Sequence, residues 1–308
     1  MVKVMNTIFV LDKNIIALIY EQLTLVHKPK DSSKRLTKKQ LEMLKFLKRH
    51  DRKQYAFSSV TSVIEGRTRQ KESFEQVKVS IEYDTKNLDS FFSNARTDTK
   101  SLKSDGANTA HILSHFNPVY SERKYREVLK HYYLSLEKYR VKGSIPKDKI
   151  DEFSFSILNF SDNLGLPLNN PIIKIILMYI NQIKIYREPN SKRKEPIDIL
   201  HPSKKIKDLD ERVHNVYSDL SIPNLLASQN YAKNKIFQLQ KVKIRFLTLD
   251  EALKEYVNLF DLKIKSKKIS KNQPGVEDMI VELYVNNSKV DESLNEVYKK
   301  WKDSNLEK

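Results

Sequence analysis

The chain has 308 residues, of which 39% are apolar and 9% aromatic, enough to bury the core of one large domain or two ordinary ones. Only 5 glycines and 10 prolines weigh against a loop-rich all-β fold, and the lack of cysteine excludes disulfides, thiolate metal sites and cysteine nucleophiles. The formal charge of +17 admits two readings: a surface made for a polyanion whose condensed counterions are released on binding, or a compositional bias in which lysine outnumbers arginine.

The opening MVKVMNTIFVLDKN meets Asp12 and Lys13 before an apolar core of useful length accumulates, so no secretory signal is expected. Thr7 to Leu11 reads as a strand, because IFVL is a short continuous apolar run of the kind buried in parallel sheets. It ends at Asp12. The spacing of Ile15, Ile16, Leu18, Ile19 and Leu23 then predicts a helix. After a basic connection over His27 to Arg35, Thr37 with Gln40 forms a capping-box pattern ahead of Leu41, Leu44, Phe46 and Leu47. Gln54 to Val60 reads as a second strand, with a helix start among Ser59, Thr61 and Ser62 and Glu65 in or near its first turn.

Residues 73–204 read as mostly helical and irregular, punctuated at Gly143, Pro146, Gly165, Pro167 and Pro171. Within them PIIKIILMYINQIKIY (171–186) is apolar but interrupted by Lys174, Asn181 and Lys184. A membrane span needs roughly 20 mostly apolar residues, so a buried helix and a soluble, cytoplasmic protein are expected. The basic stretch from Arg187 to Lys205 reads as a connection returning to the sheet. Helices are expected over Ile206 to Leu220 and Pro223 to Gln240. Lys243 to Leu247 reads as a strand ending at Thr248 and Asp250, followed by a helix from Glu251 to Leu259. A lysine-rich turn (KIKSKKISKNQPG) then leads to two short elements, the last an amphipathic helix ending near Trp301. The expected organisation is a discontinuous α/β core (1–72 and 205–260), a helical insertion (73–204) and a C-terminal extension (261–308).

Alternating strands and helices point to an α/β sheet, and in open parallel sheets the side chains at the carboxyl ends of strands share one crevice. Asp12 and Asp250 hold that position on two strands, and Glu65 lies just past a third. Carboxylates gathered in one place repel each other unless a cation neutralises them. Magnesium and manganese prefer such oxygen ligands.

Four segments carry a resemblance. FVLDKNIIALI (9–19) resembles the opening strand and helix of PIN domains, with Asp12 and Asn14 in the family's acidic and amide places. AFSSVTSVIEGR (56–67) is similar to the second family block and supplies Glu65. NVYSDLSIPNLLAS (215–228) is similar to the third and supplies Asp219. KIRFLTLDEAL (243–253) is similar to the fourth and supplies Thr248 and Asp250. The blocks follow the family's order and cover roughly residues 5–70 and 205–258.

This resemblance implies a PIN-like parallel sheet flanked by helices and enlarged by the helical insertion and the extension. It implies a Mg²⁺- or Mn²⁺-dependent nuclease acting on RNA rather than DNA, in the role of a toxin or phage-defence effector, with a partner or inhibitor docking on the insertion. Asp12, Glu65, Asp219 and Asp250 would be catalytic and metal-ligating, with Asn14 and Thr248 in support. The departures are the length of the chain, the long interval from Asp219 to Asp250, and Lys13 where the family often has a small residue. Asp208, Asp210 and Glu211 compete with Asp219 for the third place.

Each acid also has a plain structural reading as a helix cap or a solvated first-turn acid. Lys13, Arg67, Lys192, Arg193 and Lys194 are candidate phosphate contacts, and so is the cluster from Lys263 to Lys271, unless it is a solvated linker. His111 and His115 have the i, i+4 spacing of two zinc ligands, though no adjacent Glu or Cys completes such a site. Tyr132, Tyr133 and Tyr139 suit either base stacking or a core. Two other readings stay open: an inactive nucleic-acid-binding or assembly module that keeps the fold, and a basic helical scaffold unrelated to it.

Overall fold

The computed structural model describes residues 6–27, 36–60, 62, 74–99, 120–186, 194–202, 208–235, 242–268 and 277–306. The chain divides into two compact units: residues 1–117 with 232–250, and residues 118–231 with 251–308.

The first unit is built on a four-stranded, all-parallel sheet of order β3-β2-β1-β4. Its strands are β1 (Thr7–Leu11), β2 (Tyr55–Ser58), β3 (Arg96–Thr97) and β4 (Lys243–Leu247); its helices include α1 (Lys13–His27), α2 (Lys38–Arg49) and α3 (Phe74–Phe91). β1 is central because its apolar run suits burial on both faces, and only Ile8 of its five residues is not fully buried. Phe9 stacks on Phe57 at 5.2 Å, and Phe57 stacks on Phe92 at 3.9 Å. Ile15 and Ile19 of α1, Leu44 and Leu47 of α2 and Leu88 of α3 close over these rings. Each such side chain taken out of water contributes about 1.5–3 kcal/mol. The Thr37–Gln40 capping box forms as the sequence predicts and fixes the start of α2.

Two expectations need correction here. Residues 74–99, assigned to the helical insertion, supply α3 and β3 to the sheet unit. β3 is only two residues long, too short to leave a periodic signal. It is positioned from outside by Asp51, whose carboxylate accepts the N–H groups of Ser93, Asn94 and Ala95 just before the strand.

The second unit contains α4 (Tyr120–Tyr139), α5 (Ile150–Asn163), α6 (Pro171–Ile180), α7 (Leu209–Leu220), α8 (Ile222–Lys235), whose last residues fall in the first unit, and α9 (Glu251–Leu259). A hairpin of β5 (Phe260–Lys268) with β6 (Glu277–Val285) and the final helix α10 (Ser288–Leu306) complete it. α6 is buried along nearly its whole length, and Lys174 within it pairs with Asp291 of α10 at 3.3 Å. Tyr132, Tyr133 and Tyr139 are core residues, and Tyr133 donates to the Leu200 carbonyl at 2.7 Å. A second correction falls here. The lysine-rich segment read as a turn is a strand over Lys263–Lys268, paired antiparallel with Glu277–Glu282 of β6. Lys263 and Glu282 are partners in that register, a place where opposite charges stabilise the pairing. No helix among the described residues is long and apolar enough to cross a membrane.

Candidate active site

Asp12 follows the last residue of β1, and its backbone N–H still donates to Leu247 of β4 at 3.0 Å. Its carbonyl accepts from Ile15 and Ile16, which puts Asp12 at the N-cap position of α1, and its Oδ1 accepts the Lys13 N–H at 2.7 Å. The cap leaves Oδ2 pointing at β4. There Oδ2 accepts the Thr248 hydroxyl at 2.5 Å and the Asn14 side-chain amide.

Asn14 holds three groups at once. Its Nδ2 also donates to Thr248 Oγ1 at 3.0 Å, and its Oδ1 accepts the Leu249 N–H at 3.0 Å. The Asp250 N–H donates to Thr248 Oγ1 at 3.0 Å, which completes a closed network between the ends of β1 and β4. Both Asp12 and Thr248 are buried, so breaking one link strands a desolvated polar group. The structure thus brings together the side chains of Asp12, Asn14 and Thr248, three residues singled out in the sequence, and joins Asp250 to them through its backbone N–H.

Two acids that sequence reasoning missed stand on the same side of the sheet. Asp98 follows β3; its Oδ2 accepts from Ser58 Oγ and the Ser59 N–H, both at 2.8 Å, and its Oδ1 accepts from Ser59 Oγ at 3.2 Å. Burial still raises its carboxyl above the ordinary range despite these donors. Asp84, on α3, accepts from Ser62 Oγ at 3.1 Å. Burial raises it as well; the Lys13 ammonium works against that rise and the Asp98 carboxylate adds to it. The carboxyl ends of β3, β2, β1 and β4 are therefore lined by Asp98, Ser58 and Ser59, Asp12, and Thr248, and Asp84 feels the charges of Lys13 and Asp98 from α3. The one sequence cue for Asp98 was a Thr-Asp-Thr run; Asp84 looks like any solvated helical acid.

The other candidates fall elsewhere. Glu65, Arg67, Lys192 and Arg193, along with His111 and His115, lie outside the described residues, whereas Lys194 is exposed. Asp219 is half-buried near the end of α7 and belongs to the second unit. Its upstream competitors have structural tasks: Asp208 caps α7 by accepting the Glu211 N–H at 3.0 Å, and Asp210 pairs with Lys130 at 3.1 Å. Among the described residues, no group of three or more His, Asp or Glu is placed to hold a metal ion. No family model, curated protein or solved structure matches the chain.

Proposed function

We propose that the chain is a divalent-metal-dependent nuclease that hydrolyses phosphodiester bonds, with RNA favoured over DNA. The observation that carries this reading is the buried carboxylate of Asp12 at the carboxyl edge of a parallel sheet, oriented by Asn14 and by Thr248 from 236 residues away. Ligand crevices form at this edge in open α/β sheets. Positioning residues of this kind are what a carboxylate needs if it is to meet a cation at a fixed angle. The donor set is entirely oxygen, which suits Mg²⁺ or Mn²⁺.

Asp12 and Asp250, with Glu65 as the sequence pattern suggests, would hold the ion. When bound, it supplies Lewis-acid stabilisation of the phosphoryl charge. Asn14 and Thr248 keep the Asp12 carboxylate in register. Lys13, exposed beside it, is suited to a phosphate oxygen.

The test uses labelled RNA and DNA with Mg²⁺, with Mn²⁺ and with EDTA. Asp12→Asn is expected to abolish cleavage while the variant keeps its fold and its affinity for the strand; cleavage by that variant at the wild-type rate refutes the mechanism. A second reading, a nucleic-acid-binding module without catalysis, is favoured by the lack of a three-acid metal group among the described residues. Cation-independent binding with no cleavage in any condition would establish it.

A further inference from the structure

Two tyrosines of the sheet unit lie largely outside its core. Tyr20 on α1 is 44% exposed and Tyr83 on α3 is 46% exposed, with ring centroids 5.2 Å apart and planes inclined by 52°. The two rings therefore stand as a tilted pair that joins α1 to α3. The exposed residues of α1 form one stripe, Lys13, Ala17, Tyr20 and Thr24, at alternating spacings of four and three. That stripe begins next to Asp12. Tyr83 immediately precedes Asp84, and exposed Val79 and Lys86 lie one turn to either side of it.

We infer that the Tyr20–Tyr83 pair is a stacking platform for an unpaired base of a single-stranded nucleic acid whose backbone runs along α1 toward Lys13 and the acids. The inference deepens the nuclease reading, and rests on it for the direction of the strand. Seven residues of helix place Tyr20 about 10 Å from Lys13 along the axis. A stacked strand advances about 3.4 Å per nucleotide, so the stacked base lies roughly three nucleotides from the phosphate at Lys13.

The occupant follows from the chemistry of the surface. A ring stacks only on a base whose face is open, and duplex stacking closes that face. Lys86 lies one turn from Tyr83 and Lys13 heads the stripe of Tyr20, while Glu21, Glu82 and Asp84 also neighbour the rings. The attraction for a phosphate backbone therefore comes from the chain's net charge of +17 and from these two lysines rather than from a wholly basic patch. Among the described residues, Val79 and Ala17 add a small apolar area beside the two rings, less than a protein-docking patch needs.

The experiment measures binding in the Asp12→Asn background with EDTA present, by anisotropy of a fluorescein-labelled oligonucleotide, single-stranded and then annealed to its complement. Tyr20→Ala and Tyr83→Ala should each weaken single-strand binding by about tenfold, Tyr→Phe by under about twofold, and duplex binding should change by under about twofold. Tyr20→Leu and Tyr83→Leu, which keep an apolar contact without a π-face, should behave like alanine and cover the case of an alanine variant that misfolds. Alanine variants that bind single strands normally, phenylalanine variants that lose as much as alanine, equal losses on duplex, or no single-strand binding by any form would each overturn the inference.

Wild-type cleavage of the same oligonucleotide, assayed with Mg²⁺ and Mn²⁺, separates the two ideas. Tyrosine-dependent binding without cleavage keeps the platform and removes the nuclease, whereas cleavage with tyrosine-independent binding does the reverse.

Discussion

Replacing Thr248 by valine keeps the shape of a buried side chain and deletes one hydroxyl. That hydroxyl donates to Asp12 Oδ2 at 2.5 Å and accepts from Asn14 Nδ2 and the Asp250 N–H, each at 3.0 Å. Losing a hydrogen bond to a charged group costs about 1.5–3 kcal/mol. The two donors left behind add to this where water cannot reach them, while the extra buried methyl group returns about 0.8 kcal/mol. The net expectation is a loss of about 2–3 kcal/mol for Thr248→Val and about 1 kcal/mol or less for Thr248→Ser, which keeps the hydroxyl. Urea unfolding followed by circular dichroism, with the slope of each transition compared with wild type, reads both values. The same substitution should weaken Mn²⁺ affinity by about 10- to 100-fold, the usual effect of losing a group that orients a metal ligand. A valine variant within about 0.5 kcal/mol of wild type, and with unchanged cation affinity, refutes the idea that this hydroxyl orients Asp12.

Two acids of the sheet unit should respond to pH in opposite senses. Asp84 has a raised carboxyl pKa in the folded state, so the folded chain binds the proton more tightly and stability falls as pH rises above the ordinary carboxylate value. Asp84→Asn should therefore be more stable than wild type at neutral pH and lose that part of the pH dependence; thermal melts across the range check it, and a destabilised Asn variant counts against a carboxylate whose burial outweighs the help of Ser62 and Lys13. For Asp51, burial alone would raise the carboxyl, but the N–H groups of Ala95, Ser93 and Asn94 together with Lys48 outweigh it and lower the pKa. Its contribution is present above the unfolded value and lost as pH falls through the folded one. Asp51→Ala should cost about 1–2 kcal/mol at neutral pH and little in acid; an equal loss at both ends would mean that the charge is not what holds the approach to β3.

Legibility followed the strength of the local signal. β1 and β4 were readable because each is an apolar or alternating run that stops at a polar residue, and those stops place Asp12 and Thr248 side by side in the sheet. The capping box at Thr37 was equally plain. α6 reads as a buried helix in both sequence and structure, and the lysine that interrupts it finds its counterion in Asp291, 117 residues further on, which no local pattern announces. β3 escaped because two residues carry no period, and with it went Asp98, whose meaning depends on lying next to Ser58 and Ser59. Asp84 escaped because nothing in α3 marks it as the acid that burial and Lys13 single out. β5 was misread because a run of lysines looks like a solvated turn until its backbone pairing with β6 is seen.

The central strand of the sheet must wait for one of its neighbours. β1 is finished by residue 11, yet β4, which pairs with it along its whole length, starts only at residue 243. At ribosomal speeds of about 5–20 residues per second, that interval lasts on the order of ten to fifty seconds. During it the nascent chain carries β1 with one side unfilled, an edge open to wrong pairing that a chaperone would have to shield. The same delay means that Asp12 cannot be brought into register until residue 248 has been translated, so a ribosome that stalls or terminates before it releases a fragment without its Thr248.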